Sequence, residues 1–327
     1  MDNEELIMEN VHTTQDNYPL SIVHSPLTNP PLVSVCIITY NHAPYIAQTL
    51  DSVLAQKTDF PFEIVIGEDI SPDNTLAICK EYEAKYPHII RVLDTEKNMG
   101  VVPNFIRTAK ACEGKYIAVL EGDDYWIDAY KLQKQAEILE EEDLCVMCFT
   151  GRKEYYEDTD TYKIFNEPKG RYDIKDFAKE TFFHLSTVLF RKPASPYFEQ
   201  FNHFNGLYDR PLYICLLADM GGYAYKLDDI GSVYRHNINS TFVPLSELKK
   251  LPKVIDMYEK IKEMHPKLTL YMNYNLNKFD YFIMRQICRN LDGDMSEVRV
   301  IARQILARPT IPAGWFLKLK AFVHLFM

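Results

Sequence analysis

Three carboxylates crowd into the four positions 121–124 of the segment VLEGDDYWID (119–128), directly after an apolar run. They are Glu121, Asp123 and Asp124. Like charges this close repel one another, so a protein rarely keeps them without something that neutralises them. Hard carboxylate oxygens suit Mg²⁺ or Mn²⁺ that also binds the phosphates of a ligand. The segment therefore predicts a divalent metal that carries a diphosphate. The alternative is a solvated acidic turn that caps the following helix.

Polar residues also end two earlier apolar runs. Glu68 and Asp69 close the run FEIVIGED, where a carboxylate can accept a hydrogen bond from a base or a ribose hydroxyl. Alternatively, both are exposed acids of a turn rich in Asx-type residues. Tyr40 closes the run LVSVCIITY and offers a flat face for stacking a base. Its alternative is an ordinary rim aromatic, because the chain contains 22 Tyr.

The elements that must position these residues alternate regularly. Continuous β-branched runs are typical of strands buried on both faces, and segments with helical spacing separate them. The spacing predicts strands at 32–40, 62–69, 89–95 and 114–122, and helices at 43–56, 71–87 and 101–112. Repeated strand–helix units predict an α/β fold, with a mostly parallel sheet that is flanked by helices.

The polar residues fall where the predicted strands end. In open α/β sheets, ligands bind at the carboxyl ends of the strands. The residues at these ends are Thr39, Tyr40 and Asn41; Glu68 and Asp69; Lys97 and Asn98; and Glu121, Asp123 and Asp124. Four strands therefore aim polar groups at one edge, which predicts one shared binding site.

The alternation loosens after Asp128. We predict an amphipathic helix at 130–143, a strand at 144–156, a helix that ends at Gly221-Gly222, and mostly helices after residue 246. The last 29 residues, from Arg299 onward, contain five Lys or Arg and no acid.

Composition narrows the class of protein. The 327 residues are 47% hydrophobic and carry a net charge of −10, which is typical of a globular chain with a sizeable core. The overall balance shows no basic face of the kind that binds nucleic acid. The acidic N-terminus does not resemble a signal peptide, and no run of about 18 apolar residues predicts a transmembrane helix.

The seven cysteines predict reduced thiols in the cytosol, because their number is odd and their spacing shows no disulfide framework. Cys145 and Cys148 form a CxxC in an apolar setting, which favours a buried strand over a zinc site.

An ordered set of segments resembles the family 2 glycosyltransferases, which have the GT-A fold. The segments are VSVCIITYNHAPYIAQTLDSVLAQ, FEIVIGEDISPDNT, NMGVVPNFIRTAKACEGKYIAVLEGDDYW and YDRPLYICLLADMGG. The likeness is close over residues 32–150, continues less tightly to about 240, and does not cover the last 85 or so residues. It implies inverting transfer of a sugar from a nucleotide diphosphate donor, often UDP, with a divalent metal, Mn²⁺ or Mg²⁺, as cofactor.

The resemblance also implies roles for residues in the first half. Thr39 and Tyr40, with Asn41, match the positions that hold the base. Glu68 and Asp69 stand where the family has two Asp, and Asp69 would meet the base, with Asn98 beside the same donor. Glu121-Gly122-Asp123 replaces the Asp-x-Asp motif. The resemblance assigns Asp123 and Asp124 to the metal and the ribose, with Glu121 in support.

Further roles come from the second half. Asp209 matches the general base that takes the proton of the acceptor hydroxyl, and a helix N-cap is a compatible alternative. Arg235 would neutralise phosphate, and His236 would join the metal or the diphosphate unless it is structural. His184, Ser186 and Thr187 either line an acceptor pocket or lie hydrogen-bonded in the core.

These predictions define a domain plan and a location. Residues 1–31 form an N-terminal arm, 32–240 a GT-A domain, and 241–327 a helical C-terminal region. Within the GT-A domain, 32–150 is the nucleotide-sugar-binding half and 151–240 the acceptor half. The expected location is the cytoplasm. The C-terminal segment packs as an ordinary helix in one alternative. In the other, it binds the inner face of the membrane, with Lys318 and Lys320 towards the headgroups and with apolar side chains inserted into the surface, namely Trp315, Phe316, Leu317 and Phe322.

The predicted function is transfer from a nucleotide-diphosphate sugar, UDP-sugar favoured, to a glycan or glycolipid acceptor in surface polysaccharide synthesis. A sugar nucleotidyltransferase would need a glycine-rich, basic phosphate loop where this chain has TYNHAPY. A dinucleotide dehydrogenase would need a G-x-G-x-x-G motif, which is absent. A non-catalytic sugar-nucleotide binder or assembly partner is the alternative from another class, and the presence of candidate metal ligands and a candidate base favours catalysis.

Overall fold

A computed structural model describes residues 30–180, 183–204, 209–237, 247–289 and 295–326. Most of the predicted N-terminal arm therefore lies outside the described residues, as does Tyr208 of the segment YDRPLYICLLADMGG. Side chains are not described at 247–251, 285–289, 295, 297–298 and 322–326.

The first half of the chain alternates strand and helix as predicted. Its elements are β1 (Val33–Thr39), α1 (Ile46–Leu54), β2 (Phe62–Glu68), α2 (Thr75–Lys85), β3 (Ile90–Val92), α3 (Val101–Ala111) and β4 (Tyr116–Glu121). Every residue of β1 and β2 is buried, which explains why both strands are mostly apolar, and the polar Ser34 and Glu63 bind each other at 2.6 Å.

The second half begins with strands and ends with helices. It contains β5 (Tyr125–Trp126), α4 (Lys131–Glu141), β6 (Cys145–Tyr156), β7 (Thr161–Phe165), β8 (Gly170–Tyr172), α5 (Ile174–Lys179), β9 (Val188–Arg191), α6 (Asp209–Met220) and β10 (Tyr223–His236). The helices α7 (Glu247–Met264), α8 (Thr269–Arg289), α9 (Met295–Ala307) and α10 (Trp315–Phe326) follow. The C-terminal part is thus helical, as predicted.

The strands form one mixed sheet in the order β3-β2-β1-β4-β9-β6-β10-β5, with β7 beside β6 and β8 beside β10. Strands β1 to β4 are parallel to one another, and β6 is parallel to β10. Strand β9 runs antiparallel between β4 and β6. The expected α/β architecture with helices around a mostly parallel sheet is confirmed.

The core lies on both faces of the sheet because strand side chains alternate. In β1, Cys36 and Ile38 join the cluster that contains Phe105, whereas Val35 and Ile37 join the cluster on the other face. Helices α8 to α10 share a smaller cluster of their own around Met284, Ile305 and Ala321.

Cys145 and Cys148 lie buried in β6, as the apolar setting predicted. Burial raises the pKa of the Cys145 thiol to about 11. The six cysteines among the described residues are all free and buried. None of the helices in the described part of the chain is both long and apolar enough to cross a bilayer.

Candidate functional site

Three strand ends bring the predicted residues to one edge of the sheet. Thr39 lies opposite Glu68 in the register of β1 and β2, and Ile38 lies opposite Glu121 in the register of β1 and β4. Strand β10 reaches the same edge because β5, which follows the acidic loop, pairs with it at Ser232 and Val233. The edge therefore combines residues from both halves of the chain.

The turn after β1 carries its residues at the rim of this edge. Thr39 is buried, and its Oγ1 lies 3.2 Å from Nδ1 of His42. Asn41 has a φ of 61°, and its N–H donates to Ser71 at 2.9 Å. This left-handed residue turns the chain sharply, and Tyr40 beside it is 42% exposed. Tyr40 therefore presents its ring to solvent, where a base could stack.

Glu68 and Asp69 are buried, and their carboxylates bind backbone N–H groups. Glu68 accepts from Ile70 at 3.0 Å and from Ser71 at 2.7 Å. Asp69 accepts from Met99 and Gly100, each at 2.8 Å. The side chain of Asn98 donates to the Asp69 carbonyl at 2.8 Å. These residues shape two loops at the sheet edge, and their predicted contacts with a base stay a prediction.

The acidic loop is fastened closely to its neighbours. Thr49 of α1 donates its hydroxyl to the carbonyls of Gly122 at 2.9 Å and Asp124 at 2.7 Å. A Cβ at Gly122 would lie 2.3 Å from Oγ1 of Thr39, so this position requires glycine. The main chain of the loop is therefore fixed before any ligand binds.

The two aspartates of this loop differ in their surroundings. Asp123 is 8% exposed, and its Oδ2 accepts from Nδ2 of Asn237 at 2.8 Å and lies 3.6 Å from Nε2 of His42. Asp124 is fully buried, and its Oδ1 accepts the backbone N–H of Arg235 at 3.0 Å. Within the described part of the chain, Oδ2 of Asp124 has no hydrogen-bond partner. A buried carboxylate oxygen without a partner is costly, which indicates that it serves a ligand.

Charge repulsion accompanies this burial. Burial first, and then the charges of Asp123 and Glu121, raise the pKa of Asp124 well above its usual range. The backbone N–H and the charge of Arg235 oppose this shift. A cation bound beside Asp124 would stabilise the ionised form, because opposite charge lowers the pKa of a carboxyl.

His184 lies next to Asp124 and completes a group that could hold a metal. Ligand atoms of Glu121, Asp124 and His184 lie within 4.8 Å of one another. The nearest approach of His184 to Asp124 is 3.6 Å, from Nδ1 to Oδ2. Burial and the charge of Arg152 lower the pKa of His184 to about 3, so the imidazole is neutral near pH 7. The two carboxylates are donors that both Mn²⁺ and Mg²⁺ accept, and the neutral imidazole nitrogen suits a transition metal better than Mg²⁺, so these residues fit the predicted divalent cofactor and favour Mn²⁺.

The other polar residues near His184 hold its position. Ser186 has its Oγ 2.9 Å from His184 Nδ1 and donates to Oγ of Ser232 at 3.1 Å. The hydroxyl of Thr187 donates to the His184 carbonyl at 2.6 Å. Ser186 and Thr187 are both buried, so they match the core alternative rather than an acceptor pocket.

Arg235 joins β10 to α1 and to the acidic loop. Its guanidinium donates to Gln48 at 2.6 Å, to the Asp123 carbonyl at 3.0 Å and to Glu157 at 3.2 Å. It also stacks over the Tyr45 ring, 4.7 Å from the centroid. Protein groups therefore already bind the guanidinium that was expected to neutralise phosphate, and we assign Arg235 to holding the loop.

His236 is not in the group formed by Glu121, Asp124 and His184, and its ring contacts other residues. Its Nε2 lies 2.9 Å from Oε2 of Glu154, and its ring stacks on Tyr156 at 4.2 Å. The histidine that the structure places beside Asp124 is thus His184, for which the sequence had suggested an acceptor pocket or a place in the core.

Asp209, the predicted base, is the first residue of α6 and is partly buried. Removal from water raises its pKa, and the backbone N–H of Arg210 opposes the change. Asp209 and Glu121 both contribute to a raised pKa of Tyr213, after burial, so Tyr213 lies near both acids. The hydroxyl of Tyr213 is buried and has no partner among the described residues.

Some site residues were missed by sequence analysis. Asp123 is contacted by His42 and Asn237, and Arg235 is contacted by Gln48. In each of these pairs the two residues lie far apart in the chain. His42 follows the end of β1, so its place at a strand end was a usable signal. Asn237 follows the end of β10 in the same way, whereas Gln48 lies inside α1 and carried no such signal.

Comparisons with known proteins show relatives of this chain and of its fold. The sequence model of Glycosyl transferase family 2 matches residues 34–196. TuaG of Bacillus subtilis, named as a teichuronic acid biosynthesis glycosyltransferase, is 31% identical over 237 residues, 72% of this chain and 90% of TuaG. Uncharacterized Mycobacterium proteins are 36% identical over 165 residues, and this match spans only about half of their length, 48%.

Two solved structures share the fold. Residues 1–349 of S. aureus TarS, in complex with UDP-GlcNAc, align with a TM-score of 0.62 at 18% identity, over 90% of this chain and 89% of that one. The mannosyltransferase PcManGT from Pyrobaculum calidifontis, in complex with GDP-Man and Mn²⁺, gives 0.50 at 16% identity over 93% and 83%. At such identities the likeness concerns the fold.

Proposed function

The chain belongs to glycosyl transferase family 2, and from that premise we propose that it transfers a sugar from a nucleotide-diphosphate sugar to a glycan or glycolipid acceptor, with inversion at the anomeric carbon. The observation that carries this proposal is the fully buried Asp124, whose Oδ2 lacks a partner among the described residues, beside Glu121 and His184 at the ligand-binding edge of the sheet.

We place the divalent ion on Asp124, with Glu121 and His184 as further ligands and Asp123 as the neighbour that meets the ribose or a metal-bound group. When bound, such an ion neutralises the negative charge of a departing diphosphate. The protein supplies a rigid loop, because Thr49 and Arg235 hold the main chain around Asp124. His236 is the second candidate ligand and would have to leave Glu154 first.

The nucleotide would lie along the ends of β1 and β2. Tyr40 is exposed for stacking, while Glu68 and Asp69 fix the loops that form the wall of the site. Thr39, Asn41 and Asn98 complete the same wall. We favour a UDP-sugar as donor, because the TarS fold neighbour was solved with UDP-GlcNAc; the PcManGT complex with GDP-Man makes GDP the second candidate.

Asp209 would act as the general base. The acceptor hydroxyl attacks the anomeric carbon as its proton passes to the Asp209 carboxylate, and the bond from that carbon to the diphosphate oxygen breaks. The raised pKa of Asp209 supports this role, since a stronger base takes a proton more readily.

We propose that the acceptor is a growing surface polysaccharide. The relative TuaG supports this proposal, because its name refers to teichuronic acid biosynthesis. Lipid-linked glycans belong to the same class and would bring the protein to a membrane surface. Six buried free thiols fit a cytoplasmic location. We retain 32–240 as the proposed GT-A domain and 241–327 as its helical extension.

Calorimetric titration tests the donor site directly. UDP, GDP and dTDP are each titrated with and without Mn²⁺, on wild type, on Asp124→Asn, and on the exposed control Glu199→Gln. We expect micromolar binding of one nucleotide that needs Mn²⁺, is lost in Asp124→Asn and is kept in the control. If no nucleotide binds to the folded wild-type protein under any condition, the proposal fails.

A further inference from the structure

The helix α10 turns one apolar face away from the protein. Ala321 on its inner side is fully buried against Ile305 and Met284 of the C-terminal cluster. On its outer side Trp315 is 67% exposed, and Phe316 and Leu319 are each 61% exposed. Large apolar side chains scattered singly over a surface are ordinary, but three adjacent ones are not.

Helix geometry groups these residues. Successive helical residues are rotated by about 100°, so Trp315, Leu319 and Phe316 fall within an arc of about 100°. Ala321 lies on the opposite side. Lys318 and Lys320 flank the apolar arc, one on either side of it. Their ammonium groups lie over the rings of Trp315 at 5.6 Å and Phe316 at 4.2 Å, respectively.

The charge of this region differs from that of the rest of the chain. Residues 298–327 contain five Lys or Arg and no acid, whereas the whole chain carries −10. Arg299 and Arg303 are exposed on the neighbouring helix α9. A basic, apolar surface on an acidic protein is complementary to a negatively charged, apolar partner.

We infer that the outer face of α10 binds the surface of an anionic lipid bilayer. The helix lies in the plane of the membrane, with Trp315, Phe316 and Leu319 at the boundary between headgroups and acyl chains. Lys320 extends its stem along that boundary and places its charge among anionic headgroups, while Lys318, whose Nζ donates to the Leu306 carbonyl at 2.8 Å, adds positive charge at the edge of the same face. The inference does not depend on sugar transfer, so it stands or falls separately from the proposed function.

Tryptophan fluorescence gives a direct readout, because the chain has only two Trp. Trp126 is buried at 4% exposure, so a change on adding lipid reports Trp315. We would add vesicles of phosphatidylcholine alone, and vesicles that also contain about 30% phosphatidylglycerol. The second kind carries the negative surface charge that attracts basic helices. With the anionic vesicles we expect a blue shift of emission and co-sedimentation of the protein.

Substitutions separate the apolar and the electrostatic contributions. Trp315→Ser/Phe316→Ser/Leu319→Ser should weaken binding roughly tenfold or more, because three apolar groups no longer leave water. Lys320→Gln should weaken binding about fivefold on anionic vesicles and leave neutral ones unchanged. The control Leu144→Ser/Ile164→Ser removes two side chains that are 69% and 64% exposed elsewhere and should bind as wild type does.

Three results would overturn the inference. One is that the folded wild type binds neither kind of vesicle. Another is that the triple variant, with an unchanged circular dichroism spectrum, binds as tightly as wild type. The third is a blue shift that grows with protein concentration in the absence of lipid, together with a dimer mass in light scattering, which would assign the face to a second copy of the chain.

Discussion

Replacing Asp124 by asparagine should stabilise the protein while removing its metal site. Asp124 is fully buried, and ligand oxygens of Asp124 and Glu121 lie within 4.8 Å of each other. Two unit charges at that separation repel by about 3 kcal/mol at an effective dielectric constant of about 20. Arg235 offsets part of this repulsion, and partial protonation of Asp124 relieves more of it.

We therefore expect Asp124→Asn to raise the free energy of unfolding by about 2 kcal/mol at pH 7.5 in EDTA. For a chain of this length that corresponds to roughly 4 °C in the unfolding midpoint. The amide keeps the shape of the side chain, and its oxygen can still accept the N–H of Arg235. The measurement is calorimetric unfolding of both proteins.

The sign of the pH dependence follows from the raised pKa of Asp124. The folded protein favours protonated Asp124, so this residue costs nothing below the ordinary pKa of about 3.8 and costs more as pH rises towards its folded pKa. The gain in Asp124→Asn should accordingly be smaller at pH 5 than at pH 7.5.

Adding metal should reverse the ranking of the two proteins. A ligand at about 100 times its dissociation constant stabilises the folded state by about 2.7 kcal/mol, so Mn²⁺ should raise the wild-type midpoint by roughly 5 °C and leave Asp124→Asn unchanged. Asp123→Ala is the neighbouring control: it removes a carboxylate that repels Asp124 but leaves Asp124, Glu121 and His184 in place, so this variant should still respond to Mn²⁺. If Asp124→Asn melts below wild type in EDTA, or still responds to Mn²⁺, the reasoning about this carboxylate is refuted.

Three further comparisons of variants test the site. In urea unfolding, Arg235→Met should lower the free energy of unfolding by about 2–4 kcal/mol, because the partners of a buried guanidinium lose it. The control Arg171→Met removes an exposed ion pair and should lower it by under about 1 kcal/mol. Equal losses would contradict the role of Arg235 in holding the acidic loop. Mn²⁺ titration should show roughly tenfold or greater loss of affinity in His184→Ala and little change in His236→Ala, and the reverse order would restore His236 as the ligand. Asp209→Asn should lower kcat at least about a hundredfold with KM little changed. Because the pKa of Asp209 is raised, the wild-type rate should begin to fall on acidification at a higher pH than it would for an Asp with an ordinary pKa. A rate like that of wild type in Asp209→Asn would exclude Asp209 as the base.

Local patterns determined the sheet and the edge at which ligands bind. The runs that became β1, β2 and β4 are mostly apolar because both faces of the sheet are covered, and such runs can be recognised without knowledge of any distant contact. Because parallel strands end at one edge, the polar residues that follow them had to meet. Thr39, Glu68 and Glu121 are indeed neighbours in the strand register.

Only the tertiary structure decided which groups partner one another across this edge. His184 reaches Asp124 because β9 inserts antiparallel between β4 and β6, an order that the sequence does not encode locally. Arg235 and His236 are adjacent, yet strand alternation directs one towards α1 and the other towards Glu154. The sequence predicted Glu68 and Asp69 as polar residues at a strand end. Their backbone hydrogen-bond partners, however, depend on the conformation of the loops at the sheet edge. Residue types and strand ends are local properties, whereas burial and pairing depend on contacts between segments far apart in the chain.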